Sequence, residues 1–549
     1  MIRFNEKNQV FLNIHIFIPL IGEIKVTIRL WRIEMKLTSP PFFKKKKQKK
    51  SQESPSDSNS EQKVTMFENL DESMTFIKQA FSNTDDLIVK KIQNRDTNGF
   101  LVYLDTMTDS EKIQKNILKP LMEASNDHLT NVLFSTFKSL NFLNKAHIEL
   151  LNGSCLFFLE GEQQFYSLNV ALSKDRSVEE PSNEQVISGS HEGFVETHIT
   201  NLHLVRKALK TPALKLEHVT VGDQIPSKLT LVYREDLANK EIIEEFKKRV
   251  ENTSIDHIPS FGFLQELIED STWSPFPQIL YTERVDRVVG HINEGRVSVL
   301  IEGSPSCLII PVTFFAFFQS PDDYNSRWMI GSFVRTLRLL SIAIAVNLPA
   351  VYIAIIGFHF EVLPDELVLP VISSIRNIPF PPLIEALIME LTIELIREAG
   401  VRLPSRIGQT IGIVGGLVIG DAVVRAGLIS NTMIVVVAIT AVAAYSIPTT
   451  PMSDAVRFLR FPLMLLSSTF GFVGIVIGTI FILAHLCRLE SFGTPYFAPW
   501  APFQLQDIKD TFIRLPVWKF NTRPLETKAQ SLGKQSSARE WKTNERRHK

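Results

Sequence analysis

Cysteine is scarce in this chain: Cys155, Cys307 and Cys487 are the only three in 549 residues. They lie far apart and form no CxxC pair, which argues against a disulfide scaffold and a zinc ribbon. Net charge is missing as well, because 59 Lys plus Arg balance 59 Asp plus Glu. A general nucleic-acid binder carries a basic footprint, so no nucleic-acid partner is expected. No P-loop, HExxH, GxSxG or GxGxxG motif occurs. Hence no enzyme activity, catalytic residue, metal or cofactor is expected.

What is present is uneven. At roughly 100–200 residues per domain, the length predicts two to four units. Residues 1–60 hold 12 basic and 5 acidic side chains, and residues 61–326 hold 25 and 39. Residues 327–487 hold 10 and 9, all ten basic ones being Arg, and residues 488–549 hold 12 and 6. The neutral total is therefore a cancellation between a basic arm, an acidic domain, a charge-poor block and a basic tail.

The arm, residues 1–64, is expected to be disordered. Val10–Ile21 is apolar but too short to span a bilayer, and Met35 is the expected start of the native chain. Lys44–Lys50 is a lysine run suited either to solvent or to anionic lipid. Residues 65–326 alternate strand-like stretches (Gly99–Asp105, Cys155–Glu160, Leu229–Tyr233) with helix-like ones (Ser110–Met122, Lys240–Val250). An α/β or α+β domain of two subdomains follows, with a break near 175–190. In Val297–Ile310 the Gly303 and Pro305 turn predicts a β-hairpin. Pro311–Phe318 is suited to the membrane surface. The tail, 506–549, is polar and basic, and from about Arg523 it is expected to be disordered.

Three runs without Asp, Glu, Lys or Arg stand out: Leu339–Phe360, Ala426–Ser453 and Phe461–Cys487, of 22, 28 and 27 residues. About 20 apolar residues cross a bilayer as a helix. The fold class predicted is a multi-pass α-helical membrane protein with an N-terminal soluble domain. The membrane domain covers 327–505, with four or five spans: those near 329–358, 407–428, 430–448 and 461–487, and 383–399 as either a fifth span or a surface helix. Asn347 and Pro349 predict a kink in the first span. Arg327, Arg335 and Arg338 at its start place residues 65–326 in the cytoplasm. The arginines at 397–406 and 457–460 and the basic tail cannot all be put inside by four or by five crossings.

Within 383–399, Glu390, Glu394 and Glu398 share one helical face. That face suits either an amphipathic helix packed at the interface or against the soluble domain, or a path for cations. Gly408, Gly412, Gly416 and Gly420 repeat every four residues and favour close helix packing. Val414, Leu417 and Val418 lie off that glycine face and are candidates for an apolar gate. Asp421, four residues before Arg425, forms an ion pair at the bilayer edge or part of a charged pore mouth.

Several long stretches carry a resemblance. They are Glu196–Arg206, 274–286 (SPFPQILYTERVD), 302–324 (EGSPSCLIIPVTFFAFFQSPDDY), 347–355, 379–430 and 491–503 (SFGTPYFAPWAPF). Across about 65–505 the chain resembles the A subunit of GerA-type spore germination receptors of endospore-forming bacteria. Val285 stands where that family usually has Pro, Gly189–Phe194 departs from its usual stretch, and Asp421 stands where Gln is common. The resemblance implies a spore inner-membrane protein with a transporter-like, nutrient-binding B subunit and a lipoprotein C subunit. It further implies a homo-oligomeric ring, pentameric, acting as a nutrient-gated cation channel that initiates germination. The alternatives are a non-conducting scaffold in the same complex and a secondary transporter; no inverted repeat of broken helices supports the latter.

Overall fold

The computed structural model describes residues 2–4, 10–18, 22–30, 67, 69–94, 97–119, 137–172, 180–181, 183–376, 378–402 and 420–535. Two compact units result, residues 1–60 and 61–549. Lys44–Lys50 lies outside the described residues.

In the first unit, β1 (Ile2–Phe4), β2 (Val10–Ile18) and β3 (Gly22–Leu30) form an antiparallel sheet with Ile14 opposite Val26. This corrects the expectation of a disordered arm for those residues. Ile14, Ile16 and Ile18 alternate with Asn13, His15 and Phe17, and Ile24, Val26 and Ile28 with Lys25, Thr27 and Arg29. That period of two is a strand pattern.

The second unit opens with an antiparallel sheet in the order β4-β5-β7-β8-β6. Its strands are β4 (Leu87–Asn94), β5 (Thr97–Leu104), β6 (Lys138–Leu140), β7 (Ser154–Leu159) and β8 (Phe165–Asn169). Helices α1 (Leu70–Ala80) and α2 (Ala146–Leu151) share a buried core with it, including Met74, Ile77, Leu150, Val102 and Phe158.

A second antiparallel sheet follows, ordered β11-β13-β12-β10-β9. It comprises β9 (Leu214–Val221), β10 (Ser227–Arg234), β11 (Leu280–Thr282), β12 (Val297–Ile301) and β13 (Cys307–Ile310). β12 and β13 are the hairpin expected from the sequence. α3 (His198–Ala208) and α6 (Val285–Asn293) cover one face, where Val205, Val288, Leu300 and Ile309 meet. α4 (Lys240–Glu251) and α5 (Phe261–Ile268) cover the other, where Phe246, Leu264, Leu231 and Val299 meet. Burial on both faces explains why β12 and β13 read as continuous apolar runs.

A buried ion pair lies at the centre of the junction between the two sheets, beside hydrogen bonds from the Asp85 amide to the Leu216 carbonyl and from the His218 amide to Asp85. Arg206 on α3 and Asp86 before β4 are buried, with Nη2 2.6 Å from Oδ1 and Nε 3.2 Å from Oδ2. Arg206 also donates to the Leu214 carbonyl, and Asp86 accepts from Thr84 and Thr106.

Phe314–Phe318 forms a 3₁₀ turn with all five residues buried. Phe314 and Phe315 pack on Phe497, and Phe315 on Phe512. One apolar cluster runs from α3 and α6 through these rings into the helices beyond.

Those helices are α7 (Trp328–Gly357), α8 (Asp365–Ile375), α9 (Pro382–Arg402), α10 (Gly420–Arg425), α11 (Asn431–Tyr445), α12 (Thr450–Phe470) and α13 (Phe472–Arg488). Among the described residues only α7 is long and apolar enough to cross a membrane; α11 and α13 are shorter apolar helices. α7 is continuous through Pro349. It starts against the soluble domain and ends beside α13, with His359 stacked on Phe472 at 5.0 Å. α12 starts at the soluble domain, where Thr449 Oγ1 donates to the Phe317 carbonyl. α13 returns to it, where His485 Nε2 lies 2.8 Å from Ser274 Oγ. α9 and α11 both begin at the far end, where the Ser430 amide donates to Glu385 at 2.5 Å.

The segment 461–487, expected as one span, is thus split between two helices. Gly471 turns the chain between α12 and α13 at φ +60°, which favours glycine. A Cβ on Gly474 or Gly478 would strike Leu466 or Leu463 of α12, so this GxxxG pair seats the returning helix. Counting uncharged residues hid the start of α12, because its charges Asp454, Arg457 and Arg460 have partners within the helical block.

After α13 the chain crosses back over the soluble domain as a strap, so the tail up to Lys534 is ordered rather than disordered. Arg523 Nε donates to the Asn293 carbonyl at 2.9 Å, and the Gln530 amide to the Leu237 carbonyl at 2.9 Å. Glu526 Oε1 lies 2.5 Å from Arg296 Nη2, both nearly buried. Burial pushes the Glu526 carboxyl up to about 7; Arg296 opposes the rise, and Asp507 and Glu294 add to it.

Two predictions follow from these contacts. Arg206→Met strands Asp86 in the interior and should cost about 3–5 kcal/mol, measured as a lower denaturation midpoint of the purified protein. For the strap the sign is that of a raised carboxyl: folded protein holds a proton that unfolded chain has released. Its stabilisation is complete below 4.5 and is lost as pH rises through about 7. Hydrogen exchange over 523–532 should therefore quicken, relative to intrinsic rates, between pH about 5 and about 8, and Glu526→Gln should flatten that dependence.

Candidate functional site

Two charged assemblies lie where the soluble domain meets the helices. The first begins with the sequence SPDDY. Ser320 caps a short helix, Pro321–Asn325, and Asp323 closes the capping box by accepting from the Ser320 amide. Asp323 is 2 % exposed, and α7 brings two arginines onto it. Arg335 Nε lies 3.2 Å from Oδ2, and Arg338 Nη1 lies 2.8 Å from both oxygens. The strap adds a third arginine, Arg514, which donates to the Asp323 carbonyl at 2.7 Å. Asp510 of the strap accepts from Arg335 Nη1 and from the Tyr324 hydroxyl, each at 2.7 Å. The end of the soluble domain, the base of α7 and the strap are thereby one unit. Sequence reasoning took Arg335 and Arg338 as topology signals alone and assigned the tail no role, so Asp323 and Asp510 went unnoticed. The i, i+3 spacing of Arg335 and Arg338 after a capping box was the available signal.

The second assembly contains the predicted glutamates. α9 and α12 run antiparallel and meet along three rungs. Glu390 Oε2 lies 2.7 Å from Arg460 Nη1, Glu394 Oε1 2.8 Å from Arg457 Nη1, and Arg397 Nη2 3.2 Å from Asp454 Oδ1. Arg460 also reaches Glu394 Oε2 at 3.4 Å, and Arg457 also pairs with Asp454. Glu390 and Arg460 are fully buried, whereas Asp454 is half exposed. Glu398 is exposed and pairs at 2.6 Å with Arg402 of its own helix. At its outer end the seam nears the soluble sheet: burial, then the charges of Asp454, Glu184 and Glu283, push the Tyr281 phenol on β11 up. In this chain Glu390 and Glu394 therefore face arginine.

Gly408, Gly412, Val414, Gly416, Leu417 and Val418 lie outside the described residues. Gly420 and Asp421 fall in the first turn of α10, and the described part of Asp421 is its backbone. Among the described residues no group of three His, Cys, Asp or Glu side chains is placed to hold a metal ion.

Comparison with known proteins bears on this arrangement. Residues 75–526 match the family described as Bacillus/Clostridium GerA spore germination protein. Spore germination protein A1 of Bacillus subtilis is 38 % identical over 459 residues, 82 % of this chain and 94 % of that protein. Spore germination protein KA of the same organism is 34 % identical over 494 residues, 88 % of this chain and 90 % of that one. An uncharacterized membrane protein of Bacillus subtilis, YfkQ, is 40 % identical over 450 residues, 80 % and 88 % of the two chains. The crystal structure of the N-terminal domain of the A subunit of the Bacillus megaterium spore germinant receptor GerK3 is 28 % identical. It covers 46 % of this chain and 98 % of that one, with a TM-score of 0.37. With the family pattern spanning most of the chain and relatives above 30 % identity along nearly their whole length, this protein belongs to the GerA spore germination family.

Proposed function

We propose that the protein is the A-type membrane subunit of a spore germinant receptor, acting with a transporter-like B subunit and a lipoprotein C subunit. Its role is non-enzymatic: it oligomerises as a ring in the spore inner membrane and releases cations when a nutrient binds its partner. Family membership supports the receptor assignment. The observation that carries the membrane reading is the sorting of charge along the helical block. Arg335, Arg338, Arg397, Arg457 and Arg488 all lie toward the soluble-domain end. The turns at 358–364, 427–430 and Gly471 gather at the other, where Arg376 and Arg425 also lie.

Six crossings accommodate this: α7, α9, a segment between Arg402 and Ser430, α11, α12 and α13. The soluble domain and the strap then share the cytoplasmic side, and every arginine cluster is inside, which four or five crossings cannot arrange. In this reading Val414, Leu417, Val418 and Asp421 belong to the third crossing, which lines the ion path. The glycines Gly408, Gly412, Gly416 and Gly420 seat it against its neighbours.

Two measurements test this. With the exposed Cys487 changed to Ser, single cysteines at the exposed positions Asn431 and Glu490 should be labelled by an impermeant thiol reagent from opposite faces of the membrane. Labelling from the same face removes the six-crossing arrangement. Val414→Ala, Leu417→Ala and Val418→Ala should alter cation release in a position-dependent way, with at least one raising release without nutrient. Unchanged release from assembled receptors would leave the non-conducting scaffold as the role.

A further inference from the structure

The three rungs between α9 and α12 follow a repeating rule. On α9 the acidic side chains Glu390, Glu394 and Glu398 are four residues apart, close to one turn, which advances about 5.4 Å. On α12 the basic side chains Arg457 and Arg460 lie three apart on one face. In the register seen, Glu390 meets Arg460 and Glu394 meets Arg457. Moving α9 by one turn toward the far end of the block would put Glu394 on Arg460 and Glu398 on Arg457. Arg402 would then come to within one residue of the position opposite Asp454. The same two arginines therefore fit two registers, and Glu398 takes part in only the second.

The register seen already leans toward the other. Arg460 is shared, with its second guanidinium nitrogen 3.4 Å from Glu394. Its pairing with Glu390 is poorly made: both Glu390 carboxylate oxygens and Arg460 Nε are buried without a hydrogen-bond partner. A buried ion pair compensates its desolvation only when hydrogen bonds satisfy the remaining lone pairs and protons. Among the described residues, Glu398 at the exposed end pairs with Arg402 on its own helix.

We propose that α9 and α12 form a two-register charge ladder, and that the shifted register is the conducting state of the subunit. This rests on the receptor reading given above. In the register seen, the interior carboxylate is neutralised by arginine. In the shifted one Arg460 passes to Glu394, and Glu390 is left as a free carboxylate inside the helical block, where a permeating cation becomes its counter-ion. An unpaired interior charge is costly, so the shifted register stays minor until a partner subunit binds it preferentially. One-turn ratchets of packed helices are an established form of switching. The outer end of the ladder lies next to the start of α12, which Thr449 ties to the Phe317 carbonyl of the soluble domain, and this provides a place from which to bias it.

Removing a rung peculiar to each register gives opposite signs. In spores carrying the full receptor, Arg397→Gln removes the rung to Asp454 that exists only in the resting register and leaves Glu390 to meet the cation, so cation release without nutrient should rise about tenfold. Glu398→Gln removes a rung that exists only in the shifted register, so nutrient-triggered release should fall about tenfold with no rise in the basal rate. Immunoblots confirm equal receptor abundance. Effects of the same sign, or none at equal abundance, overturn the ladder, since a merely structural seam has no reason to distinguish the two. A second measurement does not depend on germination. Spin labels on Leu395→Cys and Phe458→Cys, both exposed, with the exposed Cys487 changed to Ser, report the α9–α12 register in the assembled receptor. Two label distances should appear, with populations displaced in opposite directions by Arg397→Gln and Glu398→Gln. A single distance unmoved by either change overturns the register shift. Moving populations with unaltered cation release keep the shift and overturn the conducting role.

Discussion

Asp323 holds the molecule together where it would otherwise come apart. A soluble α/β domain and a bundle of apolar helices have surfaces suited to different solvents, and a hinge between them would be the default. One buried carboxylate removes that freedom. It caps the last short helix of the soluble domain, draws Arg335 and Arg338 of α7 onto its oxygens, and sits beneath Arg514 of the strap. Each group is costly to bury alone, and apart from Arg335 Nη2 and Arg514 Nε its polar atoms find their partners among the others, so the arrangement is cooperative. The phenylalanines at 314–318 finish the task by making the apolar core continuous across the same boundary. A displacement at the soluble domain is then delivered to the first helix rather than absorbed at a joint.

Much of this was readable from residues, and the failures have physical causes. Strands whose side chains are buried on both faces, such as Val297–Ile301, were visible as apolar runs broken by Gly303 and Pro305. The amphipathic helix at Lys240–Glu251 showed its period. The division of 461–487 went wrong because an uncharged run was taken as the unit of a helix. The true unit, Thr450–Phe470, carries three charges at its beginning whose partners lie on α9 or beside them on α12 itself. Pairing across helices separated by some 60 residues leaves no local trace. The strap was missed for the same reason: Arg523 and Glu526 look like solvated tail residues until Asn293 and Arg296 are set beside them.

The glutamates of α9 show how far a periodicity argument reaches. Spacing by four placed Glu390, Glu394 and Glu398 on one face correctly, and it identified the cost of leaving them there. What faced them could not be inferred, because Arg457 and Arg460 read as a cluster marking the end of a span. The structure turns two puzzles, excess acid on one helix and excess base on another, into one seam.

The strap also has a consequence for biogenesis. Arg296 lies in the soluble domain, and its carboxylate partner Glu526 comes 230 residues later. During synthesis the soluble domain emerges first, and its docking groove around Arg296, Asn293 and Leu237 stays unfilled until every helix has been made. Completion of the N-terminal half thus waits on the far end of the polypeptide. A chain that stalls before the strap would display Arg296 without Glu526 and an open groove, a mark by which quality control could tell it from a finished subunit.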